Sequence, residues 1–278
     1  MSEPRDVDLE IDGLMFPEGP RWRDGRWWLS DQLGNRVLTL DESGAWSVVA
    51  ELPRPSGLGF LPDGTLWVAT MDEPRIVAVG SGGLHEAVSL RHLAAHLNDM
   101  VVDPLGRAYL DAYGERSAPE SGLLLATPGE PPRAVAGGLA FPNGLIVTPD
   151  GGTLLVAETQ AGCITAFDVL ADGSLGNRRV WAALAGSTPD GMCLDAEGAV
   201  WVASYRSGEF LRVVEGGAVL ERLELGDGRW AMACALGGHD GRTLLLCTAA
   251  TTTKDYFAGV ATGRLALHRV DVPGVGCP

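Results

Sequence analysis

Paired cysteines are missing from this chain of 278 residues. The five cysteines are scattered and odd in number, and no Cys-x-x-Cys pair occurs, which excludes zinc-ribbon and thioredoxin-like sites. This usage is typical of reduced thiols, so we expect a cytoplasmic protein. The N-terminal segment is polar and charged and lacks the apolar stretch of a secretory signal, which agrees with that expectation.

Basic clusters and long apolar runs are also absent. The formal net charge is −15 and the Lys and Arg residues form no cluster, so nucleic acids and anionic membrane surfaces are poor candidate partners. No apolar run approaches the roughly 20 residues that span a bilayer. The Gly-x-Ser-x-Gly elbow and the phosphate-binding loop are missing, and the five histidines do not indicate a zinc set. We therefore expect a small-molecule substrate, and the oligomeric state stays open.

What the chain does contain is a repeat of about forty residues. Six segments share a Gly-containing turn followed by a β-rich run, with central residues Trp28, Trp67, Tyr109, Leu155, Trp201 and Leu245. A short apolar run precedes each turn, and Asp-Gly turns between such runs indicate hairpins. Six repeats of four short strands predict an all-β fold, a six-bladed β-propeller with four-stranded antiparallel blades around a central channel.

The organisation around these repeats can also be predicted. No linker interrupts the chain, so we expect residues 1–278 to form a single propeller domain. The N-terminal strand is expected to complete the closing blade. Only residues 90–97 have a pattern that would suit a helical turn.

One position, about seven residues ahead of each turn, is polar in five of the six repeats. Glu18, Ser56, Asn98, Asn143 and Asp190 occupy it. The first strand of a blade lies nearest the channel, so these side chains should converge in a ring at one mouth. Carboxylate and amide oxygens form a set that suits a hard divalent cation. The competing interpretation is that Asn and Asp beside Gly are ordinary turn residues.

Several motifs resemble the SMP-30/gluconolactonase family, which includes regucalcin. They are "FPEGPRW", "HLNDMVVDPLGRAYL", "FPNGLIVTPDGGTLLVAET", "AFDVLADGSLGNRRVW" and "PDGMCLDAEGAVWVASY", and the resemblance runs from about residue 14 to 248. The resemblance implies a six-bladed propeller with a divalent metal at the channel mouth, in a family in which many members hydrolyse sugar lactones. It implies that Glu18, Asn143 and Asp190 bind the metal and that Asn98 contacts the substrate. We expect one cation, with Ca²⁺ as the first choice and Mg²⁺, Mn²⁺ or Zn²⁺ as alternatives.

The segment "HLNDM" departs from the family pattern. His96 stands where family members have an arginine that holds sugar hydroxyls, and Met100 replaces a glycine. We therefore expect His96 and Asn98 to contact a substrate that is less polar than a polyhydroxylated sugar lactone.

These features together predict a metal-dependent lactonase, which is a carboxylic ester hydrolase. A cation would polarise the ring carbonyl, and Asp190, or alternatively Asp99, would accept a proton from the attacking water. Two other hypotheses stay open. The same propeller mouth could catalyse phosphotriester hydrolysis or a condensation or rearrangement, or the fold could be a protein-interaction propeller, for which an acidic ring has no role.

Two long loops are expected at the mouth because second strands return there. They are residues 112–122 and 249–263, and loops of this length at a site commonly bind ligands. The tyrosines and the lysine of the mouth loops are therefore predicted substrate contacts, namely Tyr113, Tyr205, Lys254 and Tyr256.

Overall fold

The computed structural model describes residues 9–80, 82–114, 121–226 and 228–276. These residues form six four-stranded antiparallel sheets, which are the blades of a six-bladed β-propeller. The predicted fold class is thus confirmed. Part of the predicted loop 112–122, residues 115–120, lies outside the described residues.

Five blades are each built from four consecutive strands. Blade 1 contains β2 (Pro17–Arg23), β3 (Arg26–Asp31), β4 (Arg36–Leu40) and β5 (Trp46–Glu51). Blade 2 contains β6 (Pro55–Phe60), β7 (Leu66–Thr70), β8 (Arg75–Gly80) and β9 (Gly83–Ser89). Blade 3 contains β10 (His96–Val102), β11 (Ala108–Tyr113), β12 (Gly122–Ala126) and β13 (Arg133–Gly137). Blade 4 contains β14 (Pro142–Val147), β15 (Thr153–Glu158), β16 (Cys163–Val169) and β17 (Leu175–Ala183). Blade 5 contains β18 (Pro189–Leu194), β19 (Val200–Ser204), β20 (Glu209–Val213) and β21 (Val219–Glu224).

Blade 6 joins the two ends of the described chain. It contains β22 (Trp230–Gly237), β23 (Thr243–Ala250) and β24 (Thr262–Arg269), and β1 (Leu9–Leu14) is its outer strand. β1 runs antiparallel to β24, with Leu9 opposite Leu267. The predicted closure by the N-terminal strand is therefore confirmed.

A short helix, α1 (Thr253–Phe257), lies between β23 and β24. The Thr252 side chain caps it by accepting a hydrogen bond from the amide of Asp255. The helical turn predicted at residues 90–97 is a single turn, in which the Leu90 carbonyl accepts from the amides of Leu93 and Ala94, and it is shorter than predicted because β10 already begins at His96. No helix in the described ranges is long and apolar enough to cross a membrane.

The core lies between neighbouring blades. The central residues of the second strands are buried, for example Trp67, Tyr109 and Trp201, because both faces of each blade pack against another blade. Residues 274–276 pack near the far ends of β18 and β22, where Asp195 pairs with Gly274. The polar residues that precede the turns lie at the opposite mouth, where the innermost strands begin.

Candidate active site at the channel mouth

Each innermost strand carries a β-bulge at its mouth residue or directly after it. In β14, Asn143 and Gly144 together oppose the single residue Ala157 of β15. Four other blades have a register shift at the corresponding place, and in blade 1 the shift directly follows Glu18. A bulge re-aims side chains and increases local twist, so it directs the polar residue toward the channel.

Glycine follows the polar residue where neighbouring innermost strands come closest. A Cβ atom on Gly144 would lie 2.3 Å from the carbonyl oxygen of Asp190, and one on Gly57 would lie 2.2 Å from the amide of Met100. No side chain fits at such a distance. Blade 3 is the exception, because Asp99 stands at this place in β10.

Hydrogen bonds connect the mouth residues of neighbouring blades. The Asn98 side-chain amide donates to Asn143 Oδ1 at 2.8 Å, and the Ser56 hydroxyl donates to Asn98 Oδ1 at 2.7 Å. Gln32 Nε2 in turn donates to Ser56 Oγ at 3.3 Å. All four side chains are buried, so the structure brings the predicted residues Asn98 and Asn143 together as part of one polar chain.

Tyr256 of α1 extends this chain to the edge of the mouth. Its hydroxyl donates to Gln32 Oε1 at 2.5 Å and accepts a hydrogen bond from Arg54 Nη2 at 2.8 Å. Its ring packs on Phe16 with 4.7 Å between ring centroids, and burial raises its pKa to about 12. The helix in the long loop of blade 6 thereby reaches blades 1 and 2.

Three carboxylates are buried together at the mouth. Burial raises the pKa of Glu18 well above its usual range, and the charges of Asp190 and Asp99 raise it further. Burial likewise raises the pKa of Asp190, with contributions from Asp99 and Asp111. Because the charges of Asp99 and Asp190 raise the pKa of Glu18, and that of Asp99 raises the pKa of Asp190, the three carboxylates lie close enough to interact electrostatically.

A buried arginine lies beside these carboxylates. Burial lowers the pKa of Arg21, and the charge of Asp99 opposes that shift. Burial also raises the pKa of Asp99, while Arg21 pulls it down. The Arg21 Nη2 donates to the Met100 carbonyl at 2.5 Å, which fixes the guanidinium across the channel between blades 1 and 3.

Residues near the ends of the second strands hold the mouth in place. Asp111 accepts a hydrogen bond from the Asn98 amide at 2.8 Å. Three other blades use the same device, with Asp31 accepting from the Phe16 amide, Glu158 from Ala140 and Ser204 from Thr188. These contacts fix the backbone that carries the mouth side chains.

The carboxylate and amide oxygens at the mouth suit a bound cation. Asp190 Oδ1 is buried and has no hydrogen-bond partner among the described residues. No three Asp, Glu, His or Cys side chains in the described part of the chain form a metal-binding group by themselves. A cation here would therefore depend on the amide oxygen of Asn143 beside Glu18 and Asp190, and an all-oxygen set of this kind suits a hard cation.

The remaining predicted contacts lie around the edge of the mouth. The Tyr113 hydroxyl is hydrogen-bonded to Asp111 and to the Pro142 carbonyl. Tyr205 packs on Trp230, with 5.3 Å between ring centroids. His96 is half-exposed, and its Nδ1 lies 3.6 Å from Asp72 Oδ1. Lys254 is exposed on α1.

Sequence reasoning missed Arg21 and Asp111. Arg21 is three residues after Glu18 in a strand whose counterparts are apolar or small at that place, and this contrast was a signal that could have been used. Asp111 belongs to the polar residues that end second strands, but its contact with the Asn98 amide becomes visible only in the folded blade.

The structure defines a class of six-bladed propellers with a buried, oxygen-rich channel mouth, and comparison with known proteins specifies the family. The family described as "SMP-30/Gluconolactonase/LRE-like region" matches residues 16–250, and the chain belongs to it. A 6-deoxy-6-sulfogluconolactonase of Pseudomonas putida is 27% identical over 272 residues, which cover 94% of this chain and 93% of the relative. A pentonolactonase of Haloferax volcanii is 28% identical over 273 residues, or 94% of this chain and 92% of the relative. The crystal structure of a calcium-binding protein, regucalcin, from Agrobacterium tumefaciens matches with a TM-score of 0.77 and 20% identity over 98% of this chain and 99% of that one, a likeness that concerns the fold alone.

Proposed function

We propose that this protein is a metal-dependent lactonase that opens a small cyclic ester. The observation that carries the proposal is the burial of Glu18, Asn143 and Asp190 from three blades at one mouth, with Asp190 Oδ1 left without a partner among the described residues. Two relatives that match nearly the whole chain are named as lactonases. We propose these three residues as the ligands of one divalent cation.

When bound, the cation would polarise the lactone carbonyl and stabilise the negative charge that develops on its oxygen. Ca²⁺ is our first choice because every proposed ligand atom is oxygen. The amide of Asn98 is proposed to orient the substrate, since it is already positioned by Ser56 and Asn143. His96, Tyr113 and Tyr205 are proposed to contact the remainder of the substrate.

A buried carboxylate is proposed to accept the proton of the attacking water. As the water oxygen bonds to the carbonyl carbon, its proton moves to the carboxylate. The ring C–O bond then breaks, and the proton passes to the departing alkoxide oxygen to give a hydroxy acid. Asp190 and Asp99 are the two candidates. Asp99 stands where four other blades have glycine and outside the proposed ligand set, and its Oδ1 has no partner among the described residues.

A panel of lactones, assayed with and without chelator and with Ca²⁺, Mg²⁺, Mn²⁺ or Zn²⁺ restored, tests this function. Hydrolysis should stop with chelator and return with one of the cations. A phosphotriester in the same panel tests the alternative reaction. Hydrolysis that persists unchanged in metal-free protein would contradict the metal dependence.

The ligand assignment needs a separate measurement. Glu18→Gln and Asp190→Ala should each lower the bound metal, while Asp103→Asn should not, because Asp103 is a buried carboxylate already paired with Arg107 at 2.6 Å. Full metal content in both ligand variants would refute the site.

The cellular location also stays a proposal. The four cysteines that the structure describes are free thiols, and we propose a reducing, cytoplasmic setting on that basis.

A further inference from the structure

A second ring of side chains surrounds the mouth. Its members stand two residues before each bulge position of the innermost strands, and we call them the rim residues. They are Phe16, Arg54, His96, Phe141, Thr188 and Trp230. Because each is fixed relative to a bulge, the ring surrounds any ligand that reaches the carboxylates.

One side of the rim is aromatic. Each aromatic rim residue packs against a tyrosine from the preceding blade. The pairs are Phe16 with Tyr256 at 4.7 Å, Phe141 with Tyr113 at 4.7 Å and Trp230 with Tyr205 at 5.3 Å between ring centroids. Phe141 also has a positive φ of 61°, a conformation that is uncommon for a bulky residue and that turns the chain at the mouth.

The other side of the rim carries basic side chains. Arg54 and His96 belong to adjacent blades and share one carboxylate, that of Asp72, at 3.4 Å and 3.6 Å respectively. Among the described arginines of blade 2, Arg75 and Arg91 both pair with Glu86. Arg54 is the described arginine of this blade that stands at a rim position.

Two neighbours, Asp72 and Tyr256, hold the Arg54 guanidinium. Its Nη2 donates to the Tyr256 hydroxyl at 2.8 Å, and the guanidinium carbon lies 5.1 Å from the centre of the Tyr256 ring. Through Tyr256 it joins the hydrogen-bonded chain that ends at Asn143. A guanidinium held in this way is preorganised to bind a carboxylate, for which its planar fork is well matched.

We propose that Arg54, with His96 beside it, is a subsite for an anionic substituent, such as a carboxylate, on the cyclic ester. This inference rests on the proposed lactonase function and specifies its substrate class. The charged substituent would lie on blades 2 and 3, and the aromatic side of the rim would contact the apolar face of the ring.

The test measures binding and needs no turnover. Pyroglutamate is a five-membered lactam with a carboxylate, and pyroglutamide is its neutral counterpart. Both would be titrated calorimetrically into the full-length protein in Ca²⁺. Wild-type protein should prefer pyroglutamate by about tenfold, in line with a charge-assisted contact. Arg54→Gln should reduce this preference to twofold or less, and Arg54→Lys should retain part of it.

Arg91→Gln is the matched control. It removes the same charge from the same blade and the same face, but from an arginine paired with Glu86. It should keep the wild-type preference. Equal binding of the two lactams, no binding of either, or a preference that survives Arg54→Gln would overturn the subsite. Failure of lactone hydrolysis with the Arg54-dependent preference intact would instead overturn the lactonase function and leave an anion subsite.

Discussion

Replacing the buried Asp190 by asparagine should stabilise the cation-free protein, which is unusual for a buried charged residue. Glu18, Asp99 and Asp190 are buried together and each has a raised pKa, with burial as the largest cause. A raised pKa means that the folded state binds more protons than the unfolded chain above pH of about 4. The free energy of unfolding therefore falls as pH rises through the folded pKa values. Asp190→Asn removes one of the groups responsible.

Once a cation is bound, the wild-type protein should become more stable than Asp190→Asn. At a free cation concentration of about 100 times Kd, binding to the folded state adds about 2.7 kcal/mol to the free energy of unfolding. At about 2 °C per kcal/mol for a chain of this size, the wild-type Tm should rise by about 5 °C. Without cation, the free energy of unfolding of Asp190→Asn should exceed that of the wild type by about 1 kcal/mol, which is typical of a favourable point substitution. Adding cation should raise it little further.

The assay is a set of thermal unfolding scans at pH 5 and pH 8, with chelator or with Ca²⁺. The cation increment, meaning the rise in Tm when Ca²⁺ is added, should be larger for the wild type at pH 8 than at pH 5 because protons compete with the cation for the same carboxylates. Asp103→Asn is the control: it removes a buried carboxylate that is satisfied by Arg107, so it should destabilise the protein and keep the full increment. A loss of stability in cation-free Asp190→Asn at pH 8, together with an unchanged increment, would refute the reasoning.

Three further predictions follow from other contacts. Gly144→Ala should cost about 2 kcal/mol or more in urea unfolding because its Cβ would overlap a carbonyl oxygen of the next blade, whereas Gly137→Ala, with no described atom within 4 Å of its Cβ, should be nearly neutral. Asp99→Asn should lower kcat for lactone hydrolysis by about 100-fold or more if Asp99 is the base, while the cation increment in Tm is retained; an unchanged kcat would exclude that role. Tyr256→Phe should raise KM by about fivefold with little change in kcat, since it breaks the link between Gln32 and the rim, and unaltered kinetics would show that the link is dispensable.

The fold could be predicted from the sequence because a propeller is specified by local features. Each Asp-Gly turn pairs two strands that are adjacent in the chain, as in the hairpin of β6 and β7. The repeat then supplies the number of blades. The closure by β1 was also predictable, because blade 6 has only three strands of its own, β22 to β24, and needs a fourth to match the other blades.

The site was only partly predictable, because its geometry arises between blades. The register of the repeats identified Glu18, Asn143 and Asp190, whose role as metal ligands stays a prediction. The bulges could not be derived, since a bulge is a relation between two paired strands. The hydrogen bond from Arg21 to the Met100 carbonyl joins residues 79 positions apart in two blades, and no local pattern specifies it.

Blade 6 closes the propeller and also carries α1, the helix beside the mouth. β1 completes blade 6 and leads directly to Phe16, whose ring packs on Tyr256 of α1. The Phe16 amide is held in turn by Asp31 at 2.8 Å. Any loosening of β1 from β24 would displace Phe16 and with it the packing surface of Tyr256. The helix α1 therefore packs on the segment that links the closing strand to blade 1, so weakening the pairing of β1 with β24 should also loosen α1.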